Sequence, residues 1–104
     1  MAKFVLAYTG GSTPESPEAQ QQVMEAWMGW FGALGDAVVD MGNPFGGACS
    51  IGSDGAVSDG GRAGLTGYSI IEATDLADAA NKAKDCPVLG NGGGIDVYEA
   101  APVM

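Results

Sequence analysis

Three segments of this chain read as β-strands that are apolar on both faces or nearly so, and only two segments read as helices to cover them. Lys3–Thr9 (KFVLAYT) sends Phe4, Leu6 and Tyr8 to one side and Val5, Ala7 and Thr9 to the other. Leu65–Ala73 (LTGYSIIEA) places Tyr68, Ile70 and Glu72 against one face and Ser69, Ile71 and Ala73 against the opposite one. Ile95–Ala100 (IDVYEA) alternates in the same way and forms a last strand. Two-sided apolar strands suit the centre of a sheet that is covered on both faces. The chain is 104 residues long, enough for one domain spanning 1–104 and no more. Cover for the second face must therefore come from outside the chain.

The longest helical pattern begins at Ser16-Pro17-Glu18, which supplies an N-cap, a first-turn proline and a carboxylate near the positive end of the helix dipole. Val23, Trp27, Trp30, Phe31, Leu34, Val38 and Met41 follow at spacings of three and four, with Gly42-Asn43-Pro44 as the stop signal. This predicts one helix running from Pro17 to Met41. Between residues 43 and 66 glycine interrupts every pattern, yet Ala48–Ile51 and Ala56–Ser58 flank Ser53-Asp54-Gly55, a hairpin signal. Thr74 or Asp75 caps a second helix carrying Leu76, Ala79, Ala80, Ala83 and Cys86, with Pro87 as its stop.

The resulting order is an α+β chain, two βα units around a hairpin. It predicts a ferredoxin-like βαβ-β-βαβ two-layer sandwich with both helices on one face. The uncovered face then calls for a second copy of the chain, and the expected assembly is a two-fold homodimer.

Charge narrows the partners. Thirteen acidic residues against four basic ones leave a net charge of −9, which opposes binding to nucleic-acid phosphates or to an anionic membrane surface. The chain has no histidine, which removes imidazole acid–base catalysis, Ser-His and Cys-His nucleophiles and His-containing metal sites. Acidic side chains lack calcium-loop spacing, so neither a metal nor a cofactor is expected. The N-terminal apolar stretch, Phe4–Tyr8, is shorter than a secretory signal requires, and the two cysteines lack Cys-x-x-Cys spacing; both features predict a cytoplasmic protein with reduced thiols.

The candidate chemistry is sparse. Asp59 and Arg62 sit in the glycine-rich loop after the hairpin and suit an acid–cation pair at a pocket mouth; Asp before Gly equally suits a plain turn. Arg62 is the sole arginine, well shaped to hold a carboxylate. Tyr8, Tyr68 and Glu72 would give two hydroxyls and a partly desolvated carboxylate if they face a common interior. Phe45, just after Asn43-Pro44, can return an aromatic ring to such a pocket.

The segments KFVLAYTGG, AWMGWFGALGDAVVDMGNPFG, SDGG, LTGYSIIEATDLADAANKAKDCPVL and IDVYE together resemble the YCII-related (DGPF-type) family along nearly the whole chain. The resemblance implies a ferredoxin-like fold that pairs into a dimeric α+β barrel, similar in architecture to muconolactone isomerases. The His–Asp pair proposed as catalytic in some members has no counterpart here. The motif naming the subgroup reads Asp59-Gly60-Gly61-Arg62, keeping Asp and Gly but not Pro and Phe. Two functions follow as expectations. The first is a homodimeric ligand-binding or accessory module. The second is a small barrel enzyme acting on an aromatic or carboxylic molecule, with Asp59 and Glu72 as acid–base groups and Tyr8, Phe45, Arg62 and Tyr68 as ligand contacts.

Overall fold

The computed structural model describes residues 2–11, 15–90 and 92–102. In chain order the elements are β1 (Ala2–Thr9), α1 (Pro17–Leu34), a 3-10 turn (Gly35–Ala37), β2 (Val38–Asp40), β3 (Cys49–Ile51), β4 (Val57–Asp59), β5 (Leu65–Ala73), α2 (Leu76–Ala83), the short α3 (Pro87–Gly90) and β6 (Gly94–Ala100). The fold is α+β. Four strands form an antiparallel sheet in the order β2-β5-β1-β6, and β3 and β4 make a separate two-stranded sheet.

The two most apolar strands, β1 and β5, occupy the centre of the larger sheet. Their register sets Phe4 opposite Ile71 and Leu6 opposite Ser69, so these side chains share one face. That face carries the helices. Phe4, Leu6, Tyr8, Ile71 and Ala73 join Trp30 of α1, Ala79 and Ala83 of α2, and Cys86 and Val88 in a single buried cluster. Alanines on the inward face of α2 let its backbone approach the sheet closely, while α1 stands off on the rings of Trp27, Trp30 and Phe31.

Both helix starts follow their local chemistry. The Ser16 side chain accepts from Ala19 N, with Pro17 in the first turn, and the Asp75 side chain accepts from Asp78 N. The end of α1 departs from the expected helix through Met41. Gly35 takes φ +59° and stops the helix after Leu34, and Val38–Asp40 pair with β5 as an edge strand. The β-branched pair Val38-Val39 matches strand geometry, while the spacing from Leu34 to Val38 only imitates another helical turn. Met41 thus lies beyond a strand. Likewise Pro87 begins the short α3, since a proline at a first helical position loses nothing. The hairpin forms around Asp54-Gly55 as its sequence dictates, with Gly55 at φ +86° and Ala56 N donating to Asp54 Oδ1 at 2.9 Å. It stands apart from the larger sheet, whose fourth strand is β2.

Candidate ligand site

Among the described residues no helix or second sheet covers the face of the large sheet away from the helices; only the Phe45 ring lies on it, against Tyr68. Its rows, read from the pairing register, are Glu72–Lys3–Ala100, Ile70–Val5–Tyr98 and Tyr68–Ala7–Asp96. Val5, Ile70 and Tyr68 are half-buried by their neighbours, and Tyr98 is 60 % exposed. Tyr68 and Glu72 both lie on this face, four residues apart along β5, or about 13 Å.

Tyr8 does not join them. Ala7, not Tyr8, pairs with Tyr68, so Tyr8 points into the helix layer, where its ring meets Trp27 edge-on at 5.4 Å. Its hydroxyl donates to Ser69 Oγ at 2.7 Å, and Ser69 Oγ donates to the Met41 carbonyl at 2.7 Å. This chain of hydrogen bonds ties β1 through β5 to the end of β2. Burial pushes the Tyr8 hydroxyl well above the usual tyrosine range, with the Ser69 bond offsetting part of the rise, and burial likewise raises the Cys86 thiol. The Tyr8 hydroxyl is engaged with Ser69 inside the core.

The two raised groups have a consequence for alkaline stability. Each holds its proton more tightly folded than unfolded, so above the ordinary thiol and phenol values, about pH 8.5 to about pH 10, the native state binds more protons than the unfolded chain. Stability is then full below that range and declines as pH rises through it. Urea midpoints measured from about pH 7 to about pH 10.5 should fall progressively, and Tyr8→Phe should flatten the upper part of that decline. Equal midpoints across the range would contradict the burial of both groups.

Asp59 ends β4 opposite Cys49, fully on the hairpin, and is exposed. Glu72 lies at the far end of the other sheet, in the row of Lys3. The carboxylates expected to act together therefore belong to different sheets.

What the fold does bring together is Phe45 and Arg62. Gly42 turns the chain with φ +78°, Asn43 O accepts from Tyr68 N, and Pro44 bridges to Gly67, where the missing side chain admits the close approach. Phe45 N then donates to Thr66 O at 2.9 Å, and the Phe45 ring stacks on Tyr68 with centroids 5.7 Å apart and planes 18° from parallel. Tyr68 in turn donates from its hydroxyl to Asp40 Oδ2 at 3.3 Å. Phe45 also lines a cleft of about 360 Å³ between the hairpin and the start of β5, together with Ala48, Cys49, Ile51, Arg62 and Leu65. Asp40, Ile51 and Leu65 join this region although the sequence alone does not mark them as site residues. The Val38-Val39 pair and the Asp40-x-Gly42 turn, in which Asp40 Oδ1 accepts from Gly42 N at 2.8 Å, are the signals that place Asp40 beside a strand end.

A wider groove of about 590 Å³ runs between α1 and α2, along Trp30, Leu34, Asn81 and Lys82. Its one cation is already held, Lys82 Nζ lying 2.8 Å from Asp78 Oδ2, and that ion pair together with the Thr74 amide keeps the Asp78 carboxyl below the usual carboxylate range. By contrast, Arg62 forms no ion pair among the described residues. Among the described residues no cluster of three potential metal ligands occurs, both cysteines are free, and no helix is long and apolar enough to cross a membrane. Set beside known proteins, the chain matches no family model, and neither the curated proteins nor the solved structures contain a significant match to it.

Proposed function

We propose that this chain is a homodimeric ligand-binding or accessory module, a YCII-like domain of ferredoxin-like fold in which the open sheet faces of two copies close on each other as an α+β barrel. The strand order β2-β5-β1-β6, antiparallel throughout and with the helices on one face, supports that fold. One observation carries the dimer. The chain exposes 6892 Å², whereas a monomeric protein of 10.4 kDa is expected to expose about 5,400 Å². The surplus, roughly 1,500 Å², to which the hairpin standing off the larger sheet also contributes, is of the size that each partner of an obligate homodimer buries on assembly. The shape agrees: the radius of gyration is 15.1 Å against about 13 Å for a compact domain of this length, and the thinnest dimension is 18 Å.

The placement of the titratable groups favours a module over an acid–base enzyme. A carboxylate and a donor within reach of one ligand atom are the minimum for that chemistry. Asp59 and Glu72 lie on separate sheets, and Tyr8 faces away from both.

Sedimentation equilibrium at micromolar concentration should return twice the chain mass of 10.4 kDa. Ile70→Asp puts a charge in the middle row of the open face, where a dimer would have to bury it unpaired. It should weaken association at least about 100-fold while the monomer keeps its far-UV dichroism. A wild-type chain that sediments as a single copy would remove the dimer and the barrel together.

A further inference from the structure

We propose that the cleft between the β3–β4 hairpin and the start of β5 binds a small apolar monocarboxylate, with Arg62 as its anion anchor and Phe45 as its ring-stacking wall. This rests on the ligand-binding part of the function above and not on the dimer.

The walls of the cleft are apolar out of proportion to their exposure. Phe45, Ile51 and Leu65 are 43 %, 65 % and 38 % exposed, and all three converge on one opening of about 360 Å³, within the size range of small-molecule sites. The Phe45 ring is stacked on Tyr68, which fixes its setting where it lines the cleft. A flat apolar group is the natural complement.

Into this apolar surround the chain sets its sole arginine. The guanidinium reaches back over the hairpin, its Nη2 3.5 Å from where a side chain at Gly52 would begin; glycine at that position leaves the room. The nearby Asp54 carboxylate is engaged in its own turn by the Ala56 amide and makes no ion pair with Arg62 among the described residues. A planar fork of donors with no carboxylate of its own, beside an aromatic wall, is matched by a ligand carboxylate. Charge selects its valence. With a net charge of −9 and one cation at the cleft, a single negative charge is accommodated, whereas a polyphosphate or a tricarboxylate meets repulsion without further cations.

The hairpin gives the site a second readout. A two-stranded hairpin alone is marginally stable, and a ligand bridging Ile51 to Phe45 would hold it to the sheet. The Gly52 amide, which donates to Ala56 O at 2.8 Å, should exchange more slowly when the cleft is filled.

The test uses the full chain, ¹⁵N-labelled, titrated with phenylacetate and separately with phenylacetamide, its uncharged analogue. Phenylacetate should shift amides at Ala48–Ile51 and Gly61–Leu65 saturably and slow exchange at Gly52, and phenylacetamide should bind at least about tenfold more weakly. Arg62→Gln should reduce phenylacetate affinity about ten- to hundredfold and leave phenylacetamide unchanged. Because Arg62 is exposed, that variant should fold and sediment as the wild type does. Equal binding of the two probes, undiminished phenylacetate binding by Arg62→Gln, or absence of saturable shifts at the cleft would each overturn the site. Shifts confined to the α1–α2 groove would also overturn it, yet leave a ligand-binding module standing. The oligomeric state answers for the dimer alone.

Discussion

Gly42→Ala should lower the melting temperature by about 12 °C or more. A Cβ on Gly42 would sit well inside van der Waals contact of the Tyr68 carbonyl oxygen, 2.6 Å from its carbon and 3.1 Å from Ser69 Cα, and the backbone there has φ +78°. The left-handed conformation alone costs a residue with a Cβ about 1–2 kcal/mol. The clash adds more, because the obstructing atoms belong to β5, which is locked between β1 and β2 and cannot retreat. Relief requires moving the β2 edge outward. That would break the Ser69 hydroxyl's bond to the Met41 carbonyl, the Tyr68 amide's bond to the Asn43 carbonyl, and the hydroxyl contact from Tyr68 to Asp40. A total of at least about 3 kcal/mol is a large part of the 5–15 kcal/mol that stabilises an ordinary domain. For a chain of this size it lowers the melting temperature by about 12 °C or more. Gly55→Ala is the control. It shares a positive φ, +86°, with nothing within 4 Å of the added carbon, so it should cost only the conformational part. If the two variants melt together, steric closeness at Gly42 is not what the turn requires.

The same turn marks where the sequence stops being readable. Strands β1, β5 and β6 follow directly from alternation, and the start of α1 from Ser16, Pro17 and Glu18, because those signals act over a few residues. The end of α1 does not. Leu34, Val38 and Met41 keep helical spacing past Gly35, which ends the helix, and the pairing of Val38 with Ile71, across more than thirty residues, draws the segment into the sheet. Local spacing cannot report a partner that far away. The hairpin tells the opposite story: Asp54-Gly55 announces its turn, while its separation from the larger sheet depends on the glycine loops around it.

The site divides along the same line. Parity within a strand correctly separates Phe4, Leu6 and Tyr8 from Val5 and Ala7. Whether Tyr8 shares a face with Tyr68 depends on register between β1 and β5, and the register sets Tyr68 opposite Ala7. Phe45 and Arg62, seventeen positions apart in two loops, meet because the bridge of Pro44 to Gly67 and the return of the hairpin bring their loops to one edge. No periodicity encodes that meeting. Asp59 before Gly60 reads as a loop residue after the hairpin, and the structure makes it the last residue of β4, paired with Cys49.

Trp30→Ala should be nearly as damaging as Gly42→Ala, by a different route. Among the described residues of α1, Trp30 is the one that is buried; Trp27, Phe31 and Leu34 are only partly covered. Its ring lies 5.8 Å from Trp27 and 5.0 Å from Phe31, and its Nε1 donates to the Lys82 carbonyl at 3.0 Å. That bond joins α1 to α2, so one side chain supplies both the apolar seat of the long helix and its polar link to the short one. Truncating a buried tryptophan costs about 3–5 kcal/mol through lost transfer energy and the cavity left behind. Here the groove between the helices already opens beside Trp30, so truncation would let water reach the core at Tyr8 rather than leave a closed void. The expected result is a melting temperature at least about 12 °C lower, with loss of near-ultraviolet dichroism as Trp27 and Phe31 lose their fixed setting. Trp30→Phe separates the two contributions. It keeps most of the buried ring and gives up the bond to the Lys82 carbonyl, which is worth about 0.5–1.5 kcal/mol. A Phe variant as unstable as the Ala variant would assign the helix's attachment to that one hydrogen bond, and the packing account of α1 would fail.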